Sequence, residues 1–154
     1  EKEKVERARY LLDKVNVRDS EDKYPSELSG GMQKRVGIAR AIALNPSFLF
    51  CDEPNSGLDP ETSIVIDRLI SSITKEFGIT TIMNTHDMNS MLEIGDNIGF
   101  LHNGTILWEG DRHSILYSDC QPLIEFLSAN TLVRNIINDT RHGRSSLGGP
   151  TANL

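Results

Sequence analysis

Hydrophobic and polar positions along the chain follow two periods, which predict helices alternating with short strands. In three segments, apolar residues recur at helical spacing with charged residues between them, so amphipathic helices are predicted there. These segments are residues 1–17, 32–44 and 60–77. Asp59 and Pro60 favour the start of the third helix and Gly78 favours its end.

Strands are predicted from shorter runs. SFLFCD and ITTIMNT are almost entirely apolar or β-branched, which is typical of parallel strands buried on both faces. The stretch HDMNSMLEIG predicts a short helix, and NIGFLHNGTILWEG predicts a hairpin that turns at Asn103-Gly104. Two or three short helices are predicted from about Arg112 to Asn138, followed by a disordered tail over residues 140–154. This order indicates an α/β domain with a mainly parallel sheet.

The composition limits the classes of protein that the chain can represent. Its 154 residues suffice for one domain, and its net charge of −6 gives no basis for nucleic-acid binding. The sequence has no apolar run long enough to cross a bilayer and no signal peptide. Its two cysteines form no motif, which favours a reducing cytosol over a disulfide scaffold. Because Glu1 opens a predicted helix, we expect the chain to be the C-terminal part of a longer protein.

The stretch LSGGMQ, Leu28 to Gln33, carries the first candidate chemistry. Two glycines near a helix start let the backbone approach a ligand closely, and the free N–H groups of a helix N-terminus attract phosphate. Ser29 adds a hydroxyl donor. The alternative is a flexible turn in which Ser29 only caps the helix, and this stretch alone does not separate the two interpretations.

Two adjacent acids follow the first predicted strand. Asp52 lies at the carboxyl end of that strand, where α/β folds bind ligands, and its carboxylate suits Mg²⁺. Glu53 points elsewhere and could activate a water for attack on phosphorus. The alternative is that the acids mark only the return of the chain to solvent.

A histidine follows the second predicted strand. Because parallel strands end at the same sheet edge, His86 is expected beside Asp52, where it could bind a phosphate oxygen. A single histidine at a strand end is more often structural. The turn NSGLDP, Asn55 to Pro60, by itself favours no more than a turn followed by a helix cap.

Together, the order and spacing of these motifs resemble the C-terminal half of an ABC-type ATPase domain. LSGGMQ is similar to the ABC signature, FLFCDE to the Walker B strand, NSGLDP to the D-loop and NTHD to the histidine switch. The resemblance implies a P-loop NTPase-like fold. Residues 1–28 would be the end of the helical subdomain, and residues 29–139 the C-terminal part of the ATPase core.

The resemblance also implies roles for single residues. Asp52 would help to hold Mg²⁺, Glu53 would be the catalytic base, and His86 would sense the terminal phosphate of ATP. The signature would contact ATP held by the opposite subunit of a dimer, and the D-loop would reach across that dimer. The signature residues are Leu28, Ser29, Gly30, Gly31, Met32 and Gln33, and the D-loop residues are Ser56, Gly57, Leu58 and Asp59.

The sequence departs from the family in one important respect. It contains no G-x-x-x-x-G-K-[ST] phosphate loop, so the chain by itself is expected to be inactive. Its sheet would also lack neighbouring strands, leaving apolar surface exposed.

The sequences of these motifs are most similar to those of the ATPases of Mce-associated phospholipid transport systems. This resemblance implies a homodimer beneath an integral membrane permease, on the cytoplasmic face of the inner membrane. Three alternatives remain open: the ATPase of another importer, for an amino acid or a metal; a non-transport ABC ATPase; and a non-catalytic regulatory half-domain. The sequence identifies neither the cargo nor the direction of transport.

Overall fold

The computed structural model describes residues 1–145 and contains six helices and four strands within that range. Two short 3₁₀ turns, Pro25–Glu27 and Ser114–Tyr117, accompany them. The chain divides into two compact units, Glu1–Ser90 and Met91–Leu154. In chain order the helices are α1 (Lys2–Lys14), α2 (Gly30–Ala41), α3 (Pro60–Phe77), α4 (Met88–Ile94), α5 (Gln121–Ser128) and α6 (Thr131–Ser145), and the strands are β1 (Phe48–Asp52), β2 (Thr80–Asn84), β3 (Ile98–His102) and β4 (Thr105–Gly110).

The first unit has a core formed by three helices and a pair of strands. Apolar side chains from α1, α2, α3 and β1 make one buried cluster, as amphipathic helices do when their apolar stripes share a core. Three of the most deeply buried side chains, Ile66, Ile70 and Ile73, lie on α3 at helical spacing. The helix that follows the D-loop is therefore fixed by packing along most of its length.

The ends of α3 form where the sequence predicts. The Asp59 side chain accepts a hydrogen bond from the backbone N–H of Thr62, and Pro60 occupies the first turn. Gly78 ends the helix with a left-handed φ of 62°, a conformation that glycine adopts without a steric penalty. These signals are local, which explains why the predicted bounds are confirmed.

Strands β1 and β2 pair in parallel, with Asp52 opposite Asn84 at their carboxyl ends. The expectation that both strands are buried on both faces is wrong. Leu49 is 5% exposed, whereas Phe48, Phe50 and Ile82 are 59%, 72% and 53% exposed. This agrees with the separate expectation that apolar surface is exposed where neighbouring strands are lacking.

The second unit contains the predicted hairpin and helices. Strands β3 and β4 form a separate antiparallel two-stranded sheet, so the expected parallel pairing is found only in the sheet of the first unit. Asn103 and Gly104 both have positive φ values, 49° and 78°, as a two-residue hairpin turn requires. The hydrophobic core of this unit comes from the hairpin and the segments after it: Ile98, Ile115, Leu123, Leu127, Val133 and Ile137.

The C-terminal helix is longer than expected. Helix α6 continues beyond Asn138 to Ser145, so the prediction of disorder from residue 140 is wrong for the helical residues 140–145. The rest of the predicted tail, residues 146–154, lies outside the described residues. The subdomain bounds at residues 28 and 139 stay predictions, because the structure divides instead at Ser90.

Candidate active site

The signature segment forms the first turn of α2. Ser29 is the N-cap residue, and its Oγ accepts a hydrogen bond of 3.3 Å from the backbone N–H of Met32. Gly30 and Gly31 are the first two helical residues rather than a loop before the helix. Their backbone N–H groups belong to the set that a helix leaves without intrahelical partners, and the helix dipole makes this end attractive to an anion.

The six signature residues are not equally accessible. Ser29, Gly30 and Gln33 are exposed, and the Gln33 side chain donates hydrogen bonds to the carbonyls of Pro25 and Leu28, at 3.0 and 3.1 Å. Gly31 is buried, and Met32 packs against the hydrophobic core. Only some residues of the signature motif are therefore accessible to a ligand.

The acidic pair lies at the carboxyl end of β1, as predicted. The side-chain amide of Asn84, the residue opposite in the register, donates a 2.8 Å hydrogen bond to Asp52 Oδ1. Glu53 has a φ of +45°, which costs a non-glycine residue about 1–2 kcal/mol. Such strain is found at functional sites more often than elsewhere. The two acids have different partners, because Asp52 is bonded to Asn84 and Glu53 to His86.

His86 meets Glu53 at this edge. Its Nδ1 lies 2.7 Å from Glu53 Oε1, and its backbone N–H donates to the same oxygen at 3.2 Å. The Glu53 side chain is 33% exposed and that of His86 is 80% exposed, so a solvent-borne ligand can reach both. The expectation that His86 lies on the same sheet edge as the acids is confirmed.

The hydrogen bond to Glu53, and then its negative charge, raise the pKa of His86 above 6.5, and Asp87 adds to the rise. The folded protein therefore favours the protonated imidazole. This contribution to stability is complete below the ordinary pKa of about 6.5 and is lost as the pH rises through the raised value.

The variant Glu53→Gln should lower the pKa of His86, because the charge that raises it is removed. A titration of the His86 ring followed by NMR measures the change, with Glu109→Gln on β4 as a matched control that should leave the titration as it is. An unaltered His86 titration in Glu53→Gln would contradict the assigned contact.

The D-loop, Ser56 to Asp59, connects the acidic pair to α3. Gly57 has a φ of 79°, Leu58 is half-buried, and the Asp59 side chain caps the helix. Hydrogen bonds from the Thr62 hydroxyl and backbone N–H lower the pKa of Asp59. The first unit contains all of these groups: the signature, the acidic pair, the D-loop and His86.

Sequence reasoning missed a buried polar cluster behind the D-loop. The Asn55 side chain donates to Asp67 Oδ1 at 2.7 Å and to Ser90 Oγ at 3.0 Å. These residues are 9%, 2% and 0% exposed, respectively. The cluster joins the D-loop turn to the helix after His86. Asp67 could have been noticed as an acid on the apolar face of a predicted helix.

The residues at the strand ends suit a magnesium ion. Within residues 1–145, no group of three or more His, Cys, Asp or Glu side chains could hold a metal alone. Mg²⁺ is commonly bound through one or two carboxylates, with phosphates and waters completing its shell. Asp52, oriented by Asn84, fits that pattern.

Comparisons with known proteins show which class of protein this fold and site resemble. The family described as "ABC transporter" matches residues 1–56. The ADP conformation of MJ1267, an ATP-binding cassette of an ABC transporter, aligns with a TM-score of 0.74 and 28% identity, over 84% of this chain and 52% of that one. The dimeric structure of MJ0796, a bacterial ABC transporter cassette, aligns with a TM-score of 0.62 and 34% identity, over 72% and 48%. Over most of its length, the chain is therefore similar in fold and in sequence to the ATP-binding domains of ABC transporters.

Curated relatives give a finer comparison. The methionine import ATP-binding protein MetN of Carboxydothermus hydrogenoformans is 42% identical over 80% of this chain and 36% of its own length. The MetN of Bacillus subtilis is 34% identical over 92% of this chain and 44% of its own. The chain thus spans between a third and a half of these relatives. They are named for methionine import, so they support the ABC family and not the phospholipid subfamily.

Proposed function

We propose that this chain supplies the signature, Walker B, D-loop and switch-histidine parts of an ATP-hydrolysing subunit of an ABC importer. The observation that carries the proposal is the arrangement of the first unit, where the exposed N-terminus of α2 is followed along the chain by a strand that ends at Asp52, with Glu53 directly after it. One rigid helix thus joins a surface suited to phosphate with a carboxylate edge suited to metal and water.

The two surfaces would serve different nucleotides in a dimer of such subunits. Ser29 and Gly30, exposed at the start of α2, would donate hydrogen bonds to the terminal phosphate of ATP bound by the opposite subunit. Asp59 would reach across the same dimer interface. The dimeric cassette MJ0796 supports the proposed assembly by analogy.

At the carboxylate edge, the roles follow from the contacts. Glu53, accessible and held by His86, would orient and deprotonate the attacking water. His86, whose pKa is raised by the contact with Glu53, would donate a hydrogen bond to the phosphate as charge develops there. Asp52, oriented by Asn84, would hold Mg²⁺, which, when bound, neutralises phosphate charge.

The cargo is proposed from the relatives. Methionine import proteins are similar to this chain over most of its length, which favours an importer of methionine or a similar amino acid. The similarity of the motifs to those of phospholipid transport ATPases makes phospholipid the second candidate. Either way, a membrane permease would be the partner, and the subunit would lie on the cytoplasmic face of the inner membrane. None of the helices within residues 1–145 is long and apolar enough to span a membrane.

Purification of the full-length protein with its membrane partner tests the cargo. After reconstitution in vesicles, ATP turnover should rise with methionine present on the side from which an importer takes its cargo. Stimulation by phospholipid and not by methionine would favour the second candidate and overturn the first.

Two substitutions at Ser29 separate a phosphate contact from a helix cap. Asn and Asp cap helices about as well as Ser, and they differ from each other mainly in charge. If Ser29 meets a terminal phosphate, Ser29→Asp should lower ATP turnover by about 10²-fold or more relative to Ser29→Asn, because a carboxylate repels the phosphate.

Steady-state ATPase assays of the full-length protein compare the two, with nucleotide affinity measured in parallel. Equal turnover by the two variants would mean that Ser29 caps the helix and does not contact the phosphate. Equal loss of nucleotide binding and of turnover in Ser29→Asp would also contradict the proposed role, because the signature would act on ATP bound mainly by the other subunit.

A further inference from the structure

The first turns of α2 and α3 meet at Gly31 and Thr62. A Cβ atom added to Gly31 would lie 2.7 Å from Thr62 Cγ2, well inside the 3.5–4.0 Å at which carbon atoms attract each other. A Cβ added to Gly30 would lie 3.6 Å from Leu58 Cδ2, an ordinary contact. Of the two signature glycines, only Gly31 lies where a neighbouring side chain excludes any larger residue.

Thr62 cannot easily move its methyl group away. Its hydroxyl donates a 2.5 Å hydrogen bond to Asp59 Oδ2, and its backbone N–H donates to Asp59 Oδ1 at 2.9 Å. Rotation about χ1 would displace the methyl group from Gly31 only by taking the hydroxyl away from Asp59. The space at Gly31 and the orientation of the D-loop carboxylate therefore depend on one side-chain rotamer.

We propose that Thr62 is a positioning residue that locks the signature helix to the D-loop, with its methyl group against Gly31 and its hydroxyl on Asp59. The functional part of this inference rests on the proposed function, since both joined segments would face the opposite subunit. Gly31 then lacks a side chain because Thr62 occupies the space, and not only because a nucleotide must approach. A shift of the signature helix would move Asp59 with it.

Four variants test this link: Gly31→Ala, Thr62→Ser, the double variant carrying both, and Gly37→Ala. Thr62→Ser removes the methyl group and keeps the hydroxyl, so it should accommodate a Cβ at position 31. Gly37 is a matched control on the same helix, because a Cβ added there meets nothing within 4 Å.

The first measurement is independent of ATP hydrolysis. The Thr62 hydroxyl is the largest cause of the lowered pKa of Asp59, so NMR titration of that carboxyl reports the hydrogen bond. Gly31→Ala should raise the pKa of Asp59 toward its ordinary value, and the double variant should lower it again. Gly37→Ala should leave it as in the wild type. A pKa of Asp59 that is unaltered in Gly31→Ala would overturn the link.

The second measurement is ATP turnover by the full-length protein. We expect Gly31→Ala to lower turnover about 10²-fold, as small misplacements of catalytic groups do, and Thr62→Ser to restore most of it in the double variant. A double variant with the wild-type titration of Asp59 and the low turnover of Gly31→Ala would overturn the positioning role. If the wild-type protein shows no turnover, the proposed function is refuted. The NMR titration of Asp59 then still tests whether Thr62 links Gly31 to Asp59.

A further substitution keeps the test valid if Gly31→Ala does not fold. Thr62→Val leaves Gly31 in place and removes only the hydroxyl bond to Asp59. It should raise the pKa of Asp59 and lower turnover, whereas wild-type turnover together with a raised pKa of Asp59 would overturn the positioning role.

Discussion

Replacement of Glu53 with Gln is expected to lower ATP turnover by about 10²- to 10⁴-fold, the range that a general base contributes. The amide has nearly the shape of the carboxylate, and its oxygen can still accept the hydrogen bonds that His86 donates to Glu53. The site should keep its geometry and lose the group that takes the proton. ATP should therefore bind and remain bound, and the nucleotide-bound dimer should accumulate.

Single-turnover and binding assays on the full-length protein measure the two effects separately. Glu109→Gln, a change of the same chemistry at an exposed position on β4, is the matched control and should leave turnover near the wild-type rate. Near-wild-type turnover by Glu53→Gln would remove Glu53 as the base. Loss of ATP binding would instead assign it to ground-state recognition.

The sequence predicts the position of Glu53 and His86 because parallel strands share an edge. It does not predict the hydrogen bond from Asn84 to Asp52. That bond depends on the pairing register, which places Asp52 opposite Asn84, and a shift of one residue would move each side chain to the other face. Strand ends can therefore be placed from sequence, whereas their partners across the sheet require the register.

The two signature glycines show a second limit. From sequence, both are interpreted as allowing a ligand to approach the backbone. In the structure, Gly31 lies against Thr62 and Gly30 is exposed. Thr62 is distant in the chain and has the residue type of an ordinary first-turn position, so no local pattern identifies it as the neighbour of Gly31.

Local signals and burial differ in how well they can be predicted. The caps at Asp59 and Gly78 and the turn at Asn103-Gly104 are confirmed, because each depends on a few adjacent residues. The burial of β1 is predicted wrongly on one face, because burial depends on which elements cover a strand. Phe50, 72% exposed, is apolar like Leu49, 5% exposed, and residue type alone does not distinguish them.

The identity of the cargo is the property that these residues predict least well. The signature and the acidic pair would act on phosphate, metal and water, which are the same for every cargo. Cargo would contact the permease instead, so the residues around the signature carry little chemical information about the identity of the cargo. This explains why the phospholipid resemblance and the methionine import relatives can differ while the ATPase assignment stays the same.

The largest expected effect on stability follows from the packing of α3. Ile66 is 0% exposed in the core of the first unit, whereas Ile64, on the same helix, is 38% exposed. Ile66→Ala should lower the free energy of unfolding by about 2–5 kcal/mol, because it removes buried methyl groups and leaves a cavity.

The same change at Ile64 removes the same atoms from a partly solvated position, so it should cost clearly less. Denaturant unfolding of the two variants measures the difference, and equal losses would contradict the packing described for α3. A loss of this size is a large part of the about 5–15 kcal/mol by which small domains are typically stable. It should therefore loosen α3 and, with it, the D-loop that leads into this helix. As Asp59 caps the helix that Ile66 anchors, amide exchange at Thr62 should accelerate in Ile66→Ala and remain slow in Ile64→Ala.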